Sequence, residues 1–328
     1  MNSNSINDSV CLQAVETNTN WRILTIMSSV IVMDISSILL LSIYLLCYST
    51  NKALHLNLRA LSTTITAALI IRNLLTCIRA FRMLVAGITV SQDPCSFLTP
   101  KVICSIESVI NATPIQCASW GFVIVTIERI FATVFTEKYG KMKLYPLAIF
   151  CGLLPWVIFG YEMTLRIISA IHADSELMPY CSSLSSRMFD ILETLNYQVA
   201  MASGTALVSL FIYFINKKAK KFEALSGAAH LTIRYQRLEN IEATKVITVH
   251  TICFLAFYVQ NLYVVYLISQ LEIKELPEFA ILKELSSLTF PIHGNLHVIL
   301  ALFLSKKLRQ KFLSFWICFV EQGERLQN

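Results

Sequence analysis

The chain alternates long apolar stretches with short polar ones, and this pattern predicts its architecture. Apolar windows occur at about 23–49, 58–80, 103–127, 146–168, 191–216, 245–269 and 279–304. At about 1.5 Å per residue, a helix of roughly 20 residues crosses the hydrocarbon of a bilayer. The windows lack the apolar/polar alternation of β-barrel strands, and only helices or closed barrels pair all their backbone groups in lipid. The sequence therefore predicts an all-α membrane protein with a seven-transmembrane helix bundle.

Polar segments flank this predicted bundle, so the chain divides into 1–22, 23–304 and 305–328. The last segment begins SKKLRQKFLSFWICFV. On a helix, one face carries apolar residues and the other basic residues; the apolar ones are Leu308, Phe312, Phe315, Trp316 and Phe319, and the basic ones Lys306, Lys307, Arg309 and Lys311. This pattern predicts a short C-terminal amphipathic surface helix on the inner leaflet. Cys318 beside its apolar face is either palmitoylated or unmodified.

Composition excludes most soluble classes of protein. The chain is 55% hydrophobic and 15% charged, with a mean hydropathy of +0.60, which is too apolar for a soluble enzyme of this size. The sequence contains no glycine-rich phosphate loop, HExxH or paired CxxC. We therefore expect no enzymatic activity, no cofactor or metal, and no nucleic-acid partner.

The distribution of basic residues predicts the orientation of the bundle. If the N-terminus lies outside, most of the Lys and Arg residues fall in the inner segments, as the positive-inside rule requires. Asn7 begins the sequon Asn7-Asp8-Ser9, which is glycosylated only on the luminal side. We therefore expect an extracellular segment 1–22 and a cytosolic C-terminus.

Four of the ten cysteines fall on the predicted outer side, where disulfides form. A bridge between Cys104, at the start of the third window, and Cys181 would tie the second outer loop over the mouth of the bundle. Cys95 is the rival partner, and Cys11 would pair with whichever cysteine is left.

Ionisable residues at bilayer depth are costly and therefore informative. Asp34 and Arg72 lie at similar depths in the first and second windows, which predicts an ion pair between neighbouring helices. Glu107 is the competing partner for Arg72. The pair would either fix the helix register or act in a switch.

Polar residues in the outer halves of several windows indicate an outward-facing cavity with a few polar anchors, the usual form of a small-molecule site. The candidate ligand-binding residues are Glu107, Asn111, Tyr197, Tyr258, Asn261 and Glu284. Each of them would alternatively make a hydrogen bond between helices. Acidic residues outnumber basic ones near the outer mouth, which slightly favours a cationic ligand.

The third window ends at the inner side on an acid and an arginine, Glu128 and Arg129. The acid would hold the arginine in a resting ion pair that a shift of helices releases. Alternatively, Arg129 extends to the interface and only marks the end of the span.

Two motifs indicate a family. Glu128, Arg129, Ala132, Thr133 and Tyr139 in ERIFATVFTEKY, with RYQRLEN at 234–240, resemble elements of nematode serpentine chemoreceptors of the Sra superfamily, most closely class e. The LHLNL stretch at 54–58 is similar to the start of their second helix. Class ab and class b are alternatives, because Gly140 replaces the family's acidic residue and PIH at 291–293 is not the rhodopsin NPxxY.

The resemblance implies a G-protein-coupled chemosensory receptor in the plasma membrane, at the cilia of chemosensory neurons. It would bind an environmental small molecule or peptide and activate a heterotrimeric G protein. The implied coupling residues are Glu128, Arg129, Tyr139, Arg234, Tyr235 and Gln236. The rival hypotheses are an inverted seven-helix ligand-gated channel, which needs the N-terminus inside, and a transporter with a relay of Asp34, Arg72 and Glu107.

Overall fold

The computed structural model describes residues 3–50, 55–89, 94–139, 145–172, 176–226, 231–270 and 276–315. Among them are seven helical spans that are long and apolar enough to cross a membrane, so the predicted seven-helix bundle is confirmed. The first six spans belong to α2 (Trp21–Ser49), α3 (Leu56–Ile88), α4 (Lys101–Val134), α6 (Tyr145–Ile171), α7 (Ser183–Ser226) and α8 (Leu231–Gln270). The seventh is made of α9 (Leu276–Ser287) and α10 (Thr289–Leu304). Two further helices are α1 (Ser3–Asn18) and the short α5 (Thr136–Tyr139).

Several helices extend beyond the apolar windows. Helix α8 begins at Leu231 and so includes the whole RYQRLEN motif, which is polar. Polar side chains do not end a helix by themselves, whereas hydropathy detects only the part that lipid surrounds. The RYQRLEN motif therefore extends α8 beyond its apolar window.

The seventh span is interrupted at Leu288. Pro291 follows in the first turn of α10 and has no backbone N–H with which to bond the carbonyl of Ser287, four residues earlier. Two backbone hydrogen bonds connect α9 and α10 across the break. Leu288 N donates to the Leu285 carbonyl at 3.3 Å, and Ile292 N donates to the Leu288 carbonyl at 3.2 Å.

The N-terminal segment contains a helix that the hydropathy pattern did not indicate. Helix α1 buries Cys11 and Ala14, and it contacts α9 and the 3₁₀ turn Pro94–Phe97. Asn7 lies on this helix, but its side chain lies outside the part of the chain that the structure describes in detail.

Helix α4 lies at the centre of the bundle and contacts α3, α6, α7 and α8, while α2 packs on α3 and α10. The core contains Leu41, Ala118, Val125 and Val298. At Gly294, α10 approaches so closely that a Cβ atom would clash with Ser37 Oγ and Asn73 Nδ2. A larger residue at this position would therefore force the Ser37 and Asn73 side chains to shift where α10 meets α2 and α3.

The chain continues after α10 as a helix, α11, over residues 306–315. Leu308 is buried in the core and Phe312 packs against it, while Lys306, Lys307 and Arg309 are exposed. The predicted short amphipathic C-terminal helix is thus confirmed. Trp316, Cys318 and Phe319 lie outside the described residues.

Candidate functional site

A short hairpin covers part of the end of the bundle that is predicted to face outward, called the outer end below. Strand β1 (Thr99–Pro100) pairs antiparallel with β2 (Leu177–Met178) of the second outer loop. The backbone N–H of Lys101 donates to the Glu176 carbonyl at 2.8 Å, and its ammonium donates to the Glu176 carboxylate at 2.9 Å. This hydrogen bond, together with the charge of the ammonium, lowers the pKa of Glu176.

Two disulfides fasten the same end. Cys104 at the start of α4 is bonded to Cys181 of the second outer loop, and Cys11 of α1 is bonded to Cys95. Of the pairings that the sequence leaves open, the structure contains the one in which the loop is tied over the mouth of the bundle.

A cavity of about 200 Å³ lies below this hairpin, between α3, α4, α6, α7, α8 and the seventh span. Four of the proposed ligand residues line it, namely Glu107, Asn111, Tyr258 and Asn261. The rest of the lining is largely apolar and includes Phe159, Met163, Leu195, Val265 and Phe290.

The other two proposed ligand residues do not line the cavity. Tyr197 is 53% exposed on the outside of α7, whereas its neighbour Gln198 is buried and lines the cavity. Successive residues on a helix differ by about 100° in direction, so a one-residue error changes the face. Glu284 is fully buried and contacts Arg79 and Tyr180 instead of the cavity.

Glu284 joins three parts of the chain. It accepts hydrogen bonds from both terminal nitrogens of Arg79 on α3, at 3.1 Å for Nη1, and from the Tyr180 hydroxyl of the outer loop. Arg79 Nη2 also donates to the Cys181 carbonyl at 3.5 Å. Burial and the Glu284 carboxylate raise the pKa of Tyr180 well above its ordinary value. These contacts cross-link α3, the loop and α9.

The ion pair predicted between Asp34 and Arg72 is not formed. Arg72 Nη1 donates instead to the backbone carbonyl and side-chain oxygen of Asn111 on α4, both at 2.9 Å. Asp34 is fully buried, and neither carboxylate oxygen has a hydrogen-bond partner among the described residues. The competing partner, Glu107, pairs with Arg82. Similar depth in the membrane was not sufficient, because Arg72 extends towards α4 rather than α2.

One hydrogen bond joins α4 to α8 at the cavity wall. The hydroxyl groups of Ser119 and Tyr258 lie 2.7 Å apart, and both residues are buried.

Arg129 lies at the opposite end of the bundle and is only 1% exposed. Its Nε and Nη2 each donate to the Glu128 carboxylate at 2.5 Å. The Tyr139 hydroxyl, on α5, donates to the same carboxylate and accepts from Arg129 Nη2 at 3.2 Å. The guanidinium is therefore hydrogen-bonded to both Glu128 and Tyr139.

Asn240 of the RYQRLEN motif supplies the third contact. Its side-chain oxygen accepts from Arg129 Nη1 at 3.2 Å, and its amide donates to the Ala132 carbonyl at 2.8 Å. We call Glu128, Arg129, Tyr139 and Asn240 the Arg129 cluster. The two sequence motifs thus meet in space at this cluster.

The third motif, at the start of α3, adjoins the Arg129 cluster. The backbone N–H of His55 donates to Glu239 at 2.7 Å, and the His55 ring lies 4.2 Å from that of Tyr139, between ring centroids. Nδ1 of His55 caps α3 by accepting from Asn57 N at 3.4 Å. Burial lowers the pKa of His55 below its ordinary value.

The remaining proposed coupling residues precede Asn240 on α8 and are less buried than Asn240 is. Tyr235 is 51% exposed, with the Lys307 ammonium 5.5 Å from its ring centroid. Arg234 is exposed and Gln236 is half-buried. His55, Glu239 and Asn240 belong to motifs that the sequence analysis noted, but no role was predicted for them. Arg79, Arg82 and Tyr180 were not predicted at all.

Comparisons with known proteins indicate the family to which the sequence is similar. The model of a family described as serpentine type 7TM GPCR receptor class ab chemoreceptor matches residues 6–315. The chain is also 24% identical over 276 residues to "Serpentine receptor class alpha/beta-14" of Caenorhabditis elegans, covering 82% of this chain and 70% of that protein. The resemblance to nematode serpentine receptors is supported, but the matched class is ab, one of the alternatives, rather than class e.

Proposed function

Since the chain belongs to the class ab family of serpentine seven-transmembrane chemoreceptors, we propose that it couples an outward-facing ligand cavity to a heterotrimeric G protein on the cytosolic side. The family makes it a multi-pass membrane chemoreceptor. The coupling, the cavity as ligand site, the outside N-terminus and a location in the plasma membrane of sensory cilia are the proposal.

The observation that carries the coupling proposal is the burial of Arg129 within polar contacts from three elements. Glu128, Tyr139 and Asn240 come from α4, α5 and α8 respectively. An arginine held by several separate groups has two discrete arrangements, held and released, and a rearrangement of α8 would change which one is favoured. Released Arg129 would contact the G-protein α subunit, with Arg234, Tyr235 and Gln236 at the border.

The cavity supports the ligand half of the proposal. It lies at the end of the bundle opposite to Arg129, under a loop fastened by a disulfide. A ligand signals only through its differential affinity for the two helix arrangements. Helix α8 contributes to both sites, since it carries Tyr258 at the cavity and Asn240 at the Arg129 cluster.

The test of coupling compares two changes at one ion pair. Arg129→Ala should abolish G-protein activation, whereas Glu128→Gln, which loosens the hold but keeps the arginine, should raise ligand-independent activation. We would measure nucleotide exchange on co-expressed Gα subunits, per receptor at the cell surface. Opposite signs exclude a simple loss of folding, since misfolding lowers the signal of both variants.

Arg22→Ala is the matched control, because Arg22 is exposed at the other end of the bundle. It should leave activation unchanged. The coupling proposal fails if Arg129→Ala receptors that reach the surface signal normally, or if both cluster variants lose activation.

A topology measurement separates the receptor from an inverted channel. We expect a glycosidase-sensitive glycan at Asn7 and a C-terminal tag that antibody reaches only after permeabilisation. A tag exposed on intact cells would place the Arg129 cluster outside and contradict G-protein coupling. Ligand-gated currents would then be the next measurement.

A further inference from the structure

The outer cavity has an unbalanced set of charges. Its basic lining residues are Arg72, Arg79, Arg166 and Lys283, and its acidic ones are Glu107 and Glu162. A charge that is already paired with an opposite charge of the protein attracts a ligand little. The partners of each lining residue therefore decide which charges act on a ligand.

Both acidic residues of the lining are already matched by arginines. Glu107 forms a bidentate pair with Arg82, and Glu162 pairs with Arg166 one helical turn away. Arg79 also belongs to the lining, and its partner Glu284 lies behind it. Both acids of the cavity lining are therefore neutralised within the protein.

Two basic groups remain without a paired carboxylate. Arg72 is held by the two oxygens of Asn111, and its guanidinium lies 4.9 Å from the ring centroid of Phe290. These partners are uncharged, so they orient the guanidinium without neutralising it. The Lys283 ammonium makes no hydrogen bond or ion pair with any residue in the described ranges.

Asp34 is the only other carboxylate near Arg72 that has no partner in the described part of the chain. It accepts no hydrogen bond from Arg72 and does not line the cavity. Even if Asp34 is counted as ionised, one positive charge of Arg72 and Lys283 stays unmatched. Counted over the described side chains, the cavity is therefore net positive in either case.

A neutral hydrogen-bonding group lies in the same lining. Gln198 is 2% exposed, and its Oε1 has no hydrogen-bond partner within the described residues. A buried acceptor oxygen without a partner costs free energy that a hydrogen-bond donor on a bound ligand recovers. Gln198 is thus a second, independent indication that a polar ligand completes this site.

We propose that the cavity binds a small organic anion, with an apolar body and one carboxylate or similar acidic group. Arg72 and Lys283 hold the acidic group, the apolar lining holds the body, and the Gln198 oxygen accepts a hydrogen bond from a donor group elsewhere on the ligand. Low-dielectric walls of one sign focus the field and attract an opposite charge. At about 200 Å³ the cavity lies below the range of about 300–1,000 Å³ for drug-sized ligands, so the ligand is small. This inference rests on the proposed function, because it takes the cavity to be the ligand site.

The test uses matched probes that differ only in charge. Benzoate, benzamide and benzylammonium, and the corresponding hexanoate series, are titrated against the purified full-length receptor in lipid nanodiscs at constant ionic strength. The readout is the rise in apparent Tm, from which the Kd of each probe follows. We expect saturable stabilisation by at least one carboxylate, at least tenfold tighter than by its amide or amine.

Variants locate the site. Lys283→Gln and Arg72→Gln should each weaken carboxylate binding at least tenfold, and Lys283→Arg should retain it. Lys245→Gln, at an exposed position of α8, is the control and should bind as the wild type does. Equal binding by the Lys283→Gln variant would overturn the assigned site.

A ligand-free measurement tests the charge balance itself. If Lys283 carries an unmatched charge, Lys283→Met should raise the apparent Tm of the empty receptor, while Lys245→Met should not. A lower Tm for Lys283→Met would show that Lys283 is already compensated and would overturn the proposal.

The other outcomes are equally decisive. Preferential binding of the amines or amides would overturn the anion preference and leave the cavity as a ligand site. Absence of stabilisation by any probe would overturn the proposal. These readouts involve no G protein, so they are independent of the Arg129→Ala test, and failure of either can be assigned.

Discussion

The side-chain oxygen of Asn240 accepts a hydrogen bond from Arg129 Nη1 at 3.2 Å, across 111 positions of the sequence. The same Asn240 donates to the Ala132 carbonyl. A single amide therefore bonds α8 to both a side chain and the backbone of α4. The two helices are therefore joined at the Arg129 cluster.

Asn240→Ala should raise ligand-independent G-protein activation. Hydrogen bonds to charged groups contribute about 1.5–3 kcal/mol, so the ratio of released to held Arg129 should rise roughly tenfold or more. Nucleotide exchange per surface receptor measures the change. Asn216→Ala is the control, since it removes a buried hydrogen bond between α7 and Thr133 on α4 without touching Arg129. Equal activation by both variants would contradict the specific role of Asn240.

Replacing either partner of the Arg79–Glu284 pair should destabilise the receptor strongly. Removing one partner leaves an unpaired buried charge, which costs about 3–5 kcal/mol. The Arg82–Glu107 pair is partly exposed, with side chains 54% and 23% accessible, so its loss should cost only about 0–1 kcal/mol. Thermal unfolding of Glu284→Ala and Arg82→Ala receptors in nanodiscs compares the two. A similar Tm for both would show that burial does not set the difference.

Gly294→Ala should lower the apparent Tm, because the added methyl group meets Ser37 Oγ and Asn73 Nδ2. Overpacking of this kind costs roughly 1–3 kcal/mol. Gly160→Ala on α6 is the control, since nothing lies within 4 Å of the added Cβ. It should be neutral or slightly stabilising, because alanine has the higher helix propensity. The interpretation is wrong if Gly294→Ala melts with the wild type.

The two disulfides should be found by mass spectrometry of a non-reducing digest, as Cys11–Cys95 and Cys104–Cys181 peptides. Cys104→Ser should lower the stability and ligand binding, and adding Cys181→Ser should have little further effect. Closing a loop of 77 residues stabilises by about 4 kcal/mol on the chain-entropy argument. Additive losses in the double variant would indicate that the two cysteines act separately.

His55 should make the stability of the receptor depend on pH. Its folded pKa is lowered, so the folded state favours the neutral ring that caps α3. That stabilisation is complete above the unfolded pKa of about 6.5 and is lost as the pH falls below it. Glu128, Arg129, Arg59 and Glu239 are the charged groups nearest to the ring.

The measurement is the apparent Tm between pH 8 and pH 5 for the wild type and His55→Asn. Asparagine retains a capping oxygen but does not titrate in this range. The variant should therefore lose less stability than the wild type on acidification. Parallel curves would assign the acid sensitivity to other groups.

The sequence predicts the seven spans well because hydropathy over about 20 residues depends on lipid contact alone. It also identified Glu128 and Arg129, since a charged pair at the end of an apolar window is visible locally. The partner Asn240 was not predicted as a contact, because no local pattern relates positions that are distant in sequence. Helix α1 was missed for a related reason: its burial depends on Cys95 and on α9.

The sequence also did not determine on which side of its helix each polar side chain lies. Asp34 and Arg72 were correctly taken as membrane-embedded, but depth does not define the side of the helix on which a side chain lies. For the same reason the sequence analysis proposed Tyr197 as the ligand residue of α7, whereas Gln198 is the one that lines the cavity. Glu284 was expected to contact ligand, and only the packed structure reveals that Arg79 and Tyr180 already occupy its oxygens.

Helix α8 contains neither proline nor glycine between Leu231 and Gln270, so it has none of the usual points of bending. Tyr258 and Asn240 lie about 27 Å apart on this one rod, at about 1.5 Å per residue. Each is hydrogen-bonded to α4, one through Ser119 and the other through Arg129. A tilt of this helix about any point between Tyr258 and Asn240 displaces the two residues in opposite directions relative to α4. If α8 moves as one rigid helix, a ligand that displaces Tyr258 relative to α4 therefore also displaces Asn240 and strains its hydrogen bond to Arg129.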